Sequence, residues 1–279
     1  MNTKSKFQKV RDVLSSTKTK FGFTTLAEGA THINLPPTKT KSGFTLAEVL
    51  ITLGIIGIVA AMTIPTLIER YKEQELVNRW FKFYSLLQQA IKLAEEEYGD
   101  HTTWKFESYH NGNYRNQEPD ATGTAYGYLK PFLKIANDCP VGGKNCFLTG
   151  NDYTFLDNKS KTQICSYYGP AVKLLSGETI CFRNGSPHFI VDLNGNAPPN
   201  KFGVDVQYFS FIDLPESKFY PGFNWGWVAT ADNAEYCNTE SSTWHNGASC
   251  GFWIQRYKNM NYLRMSKADV KANWKPKRK

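Results

Sequence analysis

The sequence predicts an α+β fold: one long N-terminal helix, membrane-spanning in its first half, packed on a C-terminal, antiparallel, β-rich globular domain. Three observations carry that expectation. Residues 44–64 hold a single charged side chain, Glu48, in 21 positions, and at about 1.5 Å per residue such a helix crosses a hydrocarbon core of roughly 30 Å. Beyond Pro65, apolar residues recur at helical spacing as far as Ala94. After Gly99 the composition shifts to Gly, Asn, Pro and aromatic residues, with short runs of β-forming side chains.

Residues 1–43 are basic and polar, contain Pro36-Pro37 and lack the pattern of a packed core, so they read as a disordered leader. They carry eight Lys/Arg against Asp12 and Glu28, which places +6 of the formal +8 ahead of the apolar run. Lys267, Lys271, Lys275, Lys277, Arg278 and Lys279 crowd the other end. The body between is near neutral or slightly acidic, so the high pI belongs to two tails and gives no argument for nucleic acid. Basic residues ahead of an apolar span argue for a cytoplasmic N-terminus with the remainder exported. A secretory signal peptide would place its small-residue cleavage site after the apolar run, not before it.

Residues 44–65 form the expected membrane segment and 66–98 its amphipathic continuation. Pro65 removes one backbone hydrogen bond and is expected to kink or loosen the helix, with Gly54 and Gly57 softening the same region. Leu67, Tyr71, Leu76, Trp80, Phe83, Leu87, Ile91 and Ala94 make the apolar stripe, and Gly99 is the residue a helix C-terminus favours. A carboxylate at Glu48 is costly, roughly 2.5 kcal/mol or more if unpaired at the bilayer centre, so it calls for a partner.

Residues 99–279 form the exported domain. Residues 99–127 read as a long loop. Strand-like runs follow at residues 179–182, 188–192 and 207–212, and Asn194-Gly195 after Phe189-Ile190-Val191 is a hairpin signal. From Lys267 the chain reads as a short exposed helix or a frayed tail. Six cysteines, Cys139, Cys146, Cys165, Cys181, Cys237 and Cys250, all follow the apolar segment. An even number in an exported region suggests disulfides, and loop-closure entropy favours the sequential pairs Cys139–Cys146, Cys165–Cys181 and Cys237–Cys250. Zinc ligation by these cysteines is disfavoured, because no C-x2-C pair exists and the five histidines are scattered.

Asp192, Asn194 and Asn196 alternate along the chain and present hard oxygens on one side, Gly195 permits a sharp turn, and Asp205 stands ready to close a site. Calcium takes six to eight such oxygens. The complete EF-hand pattern is absent, and the same residues also serve a plain turn. Phe223-Asn224-Trp225-Gly226-Trp227, Trp244 and Trp253 suit either a carbohydrate or partner surface or core packing. There is no H-E-x-x-H, G-x-S-x-G or P-loop, and the expectation is a non-enzyme.

The segment Lys41-Ser42-Gly43-Phe44-Thr45-Leu46-Ala47-Glu48, running on to Pro65, strongly resembles the N-terminal signature of type IV pilins and type II secretion pseudopilins. The resemblance implies cleavage by a prepilin peptidase after Gly43, methylation of the new N-terminal Phe44, and pairing of Glu48 with the N-terminal amine of a neighbouring subunit. Glu48 and Pro65 fall on mature positions five and twenty-two, as in that family. A partial echo, Gly22-Phe23-Thr24-Thr25-Leu26-Ala27-Glu28, is followed by polar residues, so processing is expected at Gly43. The stretch from Asp192 to Asp205 also resembles a segment of pseudopilin-like proteins, some of which bind calcium. The resemblance implies a non-catalytic pseudopilin or minor pilin of a type II secretion or type IV pilus filament, in the inner membrane before assembly. Implied partners are other pilin subunits, the prepilin peptidase, the inner-membrane assembly platform and membrane lipid. No cofactor is required, and calcium is the one candidate. The open alternatives are a DNA-uptake pilin using the basic tail and a membrane-anchored exported binding protein or enzyme.

Overall fold

A computed structural model describes residues 43–105, 125–139, 143, 146–148, 152–165, 169–183, 188–211, 219–220, 233–243 and 245–274. Two compact units are distinguished, one reaching Ile55 and one beginning at Ile56. Helix α1, Leu46–Tyr98, contributes to both. It is long and apolar enough to cross a membrane, and its most apolar window buries nothing against the rest of the chain. The leader, its echo at residues 22–28, the aromatic run 223–227, Trp244 and the basic residues from Lys275 onward lie outside the described residues.

Pro65 sits inside α1 and does not end it. A proline leaves the carbonyl four residues earlier without its helical donor. Nearby, the Thr63 hydroxyl donates to the Val59 carbonyl at 3.0 Å and Thr66 to the Thr63 carbonyl at 2.9 Å. The buried face of α1 comprises Leu76, Val77, Trp80, Phe83, Leu87, Ala90, Ile91 and Ala94. Leu67 and Tyr71, expected on that stripe, are exposed at 68% and 71%: periodicity marks an apolar face but not where its covering begins. Gly99 closes α1 at φ +82, its N–H bonded to the Glu95 carbonyl at 3.0 Å.

The main sheet is antiparallel throughout. Its strands are β1 (Ile135–Cys139), β4 (Ala171–Leu174), β5 (Thr179–Phe182), β6 (His188–Asp192), β7 (Val206–Phe211) and β8 (Phe219–Tyr220), side by side in that order. Strands β2 (Tyr153–Thr154) and β3 (Lys161–Thr162) pair separately. Alternate residues face opposite layers. Val172, Ile180, Phe182, Phe189, Val191 and Phe209 pack with the α1 stripe. Ala171, Cys181, Val206 and Tyr208 face a second layer with Tyr153, Phe155, Ile164 and Phe202. With both faces covered, β5 is buried at all four positions.

Trp80 anchors the helix side, stacking on Tyr84 at 5.0 Å and on Phe209 at 6.0 Å, while Phe83 meets Phe209 at 5.4 Å. Burying each such side chain contributes roughly 1.5–3 kcal/mol. All six cysteines are paired, Cys139 with Cys146, Cys165 with Cys181 and Cys237 with Cys250.

One expectation is corrected. Asn194-Gly195 is not a two-residue hairpin turn: β6 and β7 do pair, but residues 193–205 connect them. The apolar run ends at Leu193 and the acidic loop inserts before the next strand. From Lys267 the chain forms the short, largely exposed helix expected, with one side chain turned inward. After helices α2 (Ala125–Leu129) and α3 (Cys250–Tyr257), helix α4 (Lys267–Asn273) docks through a fully buried Val270. Ser266 caps α4 with a reciprocal bond pair: its Oγ donates to Asp269 Oδ2 at 2.6 Å and accepts from the Asp269 N–H at 3.1 Å.

Candidate functional site

The first site is the start of α1. Phe44 is 88% exposed, and among the described residues nothing stands within 4 Å of a side chain built at Gly43. Thr45 and Glu48 form a capping box. The Thr45 N–H and hydroxyl each donate to Glu48 Oε2 at 2.8 Å, and the Thr45 hydroxyl accepts from the Glu48 N–H at 3.2 Å. The carboxylate thereby sits at the positive end of the helix dipole. The Thr-x-x-Glu spacing was readable in the sequence as a cap, a second role for Glu48 beyond the expected one. Leu46, Leu50, Ile51, Leu53, Ile55 and Ile56 are exposed around it. Such a surface needs lipid or other apolar helices to cover it.

The second site lies on the sheet face turned away from α1. Asp192 ends β6, and the following loop returns Asp205 beside it, with the Leu193 N–H bonded to the Asp205 carbonyl at 2.9 Å. Asp205 accepts the Lys201 N–H on Oδ1 at 2.7 Å, and on Oδ2 the Asn200 N–H at 2.8 Å and the Asn194 amide at 3.2 Å. Asp192 Oδ1 accepts the Asn194 N–H at 3.2 Å. The Tyr153 hydroxyl, carried by β2, lies 3.3 Å from both Asp192 Oδ2 and Asn196 Oδ1. The four residues expected to converge, Asp192, Asn194, Asn196 and Asp205, are thus one hydrogen-bonded group, joined by Tyr153 and Asn200. Asn200 lies within the segment singled out in the sequence but was not expected as a ligand, and Tyr153 was invisible there because it comes from a distant two-residue strand.

This group is short of positive charge. Both carboxylates are fully buried. Burial, and then the charge of Asp205, pushes the Asp192 carboxyl up to about 7, and burial raises Asp205 as well. Burial also holds Lys201 below its ordinary value. Buried oxygens of Asn194, Asn200 and Thr179 have no hydrogen-bond partner, and Thr179 stands opposite Asp192 in the β5–β6 register. Two carboxylates and several orphan amide and hydroxyl oxygens are a hard, all-oxygen donor set that fits calcium.

Trp253 is buried, packed on Tyr257 and Tyr262, with its indole N–H donating to Asn259 Oδ1 at 3.0 Å. It is a core residue.

Comparison with known proteins agrees with the first site. Residues 38–64 match the Prokaryotic N-terminal methylation motif, and the chain is a type IV pilin-like protein. That motif implies association with other pilin subunits and with a prepilin peptidase. Residues 66–259 match the Family of unknown function (DUF6613), to which the chain belongs. No curated protein and no solved structure matches.

Proposed function

We propose that this chain is a non-catalytic pseudopilin or minor pilin in a type II secretion or type IV pilus filament. The observation that carries the reading is the register of Gly43, Phe44 and Glu48 at the head of an apolar helix whose surface the chain itself leaves uncovered. The basic leader keeps the N-terminus cytoplasmic and the disulfide-bearing domain is exported. The peptidase cuts after Gly43, Phe44 is methylated, and the Glu48 carboxylate exchanges its Thr45 bonds for a neighbour's N-terminal amine. A paired charge is what makes burial of that carboxylate among apolar helices tolerable. In this reading the Asp192–Asp205 loop holds calcium. The ion supplies the positive charge that the two carboxylates lack and organises the β6–β7 connection without taking part in any reaction.

Mass spectrometry of the N-terminal peptide tests the reading. The expected mature chain begins at methylated Phe44, and Gly43→Val leaves the precursor uncut in the membrane. A mature start near residue 22, or an intact leader in cells that hold the peptidase, rejects the assignment.

A further inference from the structure

Where α1 ends, the chain doubles back and brings three metal-binding side chains together. Gly99 adopts φ +82, and the next residues form a 3-10 turn, His101–Thr103. Asp100 caps that turn: its Oδ1 accepts the Thr102 N–H at 2.8 Å and the Thr102 hydroxyl at 2.6 Å. His101 thereby returns to Glu95, six residues back. Its N–H bonds Glu95 Oε1 at 3.4 Å, and its ring Nδ1 contacts the same oxygen. Nδ1 is 4.0 Å from Asp100 Oδ1, and one ligand atom from each of the three residues lies within 4.8 Å of the others. A second feature fixes the arrangement. The Trp104 indole N–H donates to the Gly99 carbonyl at 2.9 Å while its ring stacks on Tyr128 at 4.5 Å. His101 Nε2 is shielded inside the fold, so the nitrogen turned toward the carboxylates is Nδ1.

We propose that Glu95, Asp100 and His101 bind a zinc-class divalent cation at this turn. One imidazole and two carboxylates are a mixed nitrogen–oxygen set of the kind borderline divalent ions favour, and three protein ligands leave a fourth position for water. Calcium and magnesium select oxygen alone, so the imidazole separates this site from the all-oxygen loop at Asp192. Glu96 and Glu97 stand exposed beside the turn and add negative potential that draws a cation in. The bound ion ties the last turn of α1 to the segment that follows it. Nothing in this proposal depends on how the chain is processed or assembled.

The test uses the full chain in detergent, with no polyhistidine tag, stripped by chelator and then exposed to zinc, calcium or magnesium. After gel filtration, elemental analysis is expected to find one equivalent of zinc at this site, and cobalt in its place is expected to give a ligand-field absorption band. His101→Ala and Asp100→Asn are each expected to weaken zinc binding by at least roughly tenfold, the lower range for even an outer-shell change. Asn caps a turn as well as Asp does, so Asp100→Asn keeps the metal-free melting temperature and isolates the lost ligand from a lost fold. Zinc that does not survive gel filtration, or that binds both variants as tightly as the parent, overturns the proposal.

Discussion

At the scale of single residues, two side chains have partners that set their behaviour. Glu48 is satisfied within its own helix by Thr45, yet the Gly43–Phe44 bond, where we propose cleavage, lies outside that cap. Glu48→Ala is therefore expected to be cut normally while losing filament assembly. An immunoblot for the leader and cysteine cross-linking along α1 read the two separately, and loss of cleavage would show that Glu48 serves the peptidase instead. Thr45→Ala, which opens the cap, is expected to cost about 1 kcal/mol of helix start. His245 is one pH-sensitive residue of the folded unit. It is edge-on to Phe155 and Tyr208, and burial first, then the charge of Arg183, holds it below the ordinary histidine value. The native state thus takes a proton less readily than the unfolded chain. Its contribution is present above the ordinary histidine pKa and is lost as pH falls below it, opposite in sign to that of the buried Asp192 and Asp205 carboxyls. His245→Asn keeps a residue tolerant of its φ of +68 and should remove that contribution. Identical melting profiles for parent and variant would remove His245 as the cause.

At the scale of elements, what was legible in the sequence follows from how each segment is covered. β5 and β6 were readable as strands because both faces are buried and their residues form continuous β-forming runs. β1 was not, since an edge strand with exposed Asn137 and Asp138 carries no apolar pattern. The acidic loop announced its own oxygens, but not Tyr153, and the Glu95–His101 pairing stayed hidden because a left-handed glycine, not a motif spacing, creates it. The second layer depends on a backbone contact that no pattern reports. Gly203 and Gly247 meet directly: a side chain added at Gly247 would stand 2.5 Å from the Phe202 carbonyl carbon, and at Gly203 2.9 Å from Cys250 Sγ. Both have positive φ, +79 and +104. Gly247→Ala should therefore destabilise by about 3 kcal/mol, from strain and overpacking together. Trp80→Ala should cost a similar 3–5 kcal/mol through the opposite layer. Chemical denaturation measures both. A Gly247→Ala variant within a few tenths of the parent would mean the loop moves freely off Phe202.

At the scale of the whole molecule, the two parts of the chain face different requirements. The apolar half of α1 is exposed along its length and needs partners, whereas the unit from Ile56 onward closes its own core and staples it with three disulfides. Within that unit the Asp192–Asp205 pair sets burial against charge, and calcium is the remedy we propose. Extracellular calcium modules bind the ion with dissociation constants of about 10⁻⁴–10⁻³ M, the range taken for this loop. At about 10 mM ion, mass action then stabilises the folded state by roughly 1.4–2.7 kcal/mol. For a unit of this size that is a rise of several degrees, at about 2–4 °C per kcal/mol. Asp192→Asn should abolish the rise while keeping the metal-free melting temperature equal or higher, because it removes a charge that burial disfavours. Magnesium should do less, since it holds its water and demands octahedral geometry. Asp100→Asn, at the other metal site, should leave the calcium response intact. A calcium-dependent rise that survives Asp192→Asn would place the ion elsewhere. No rise at all would leave the loop a hydrogen-bonded turn, with the assembly proposed for Phe44 and Glu48 unaffected.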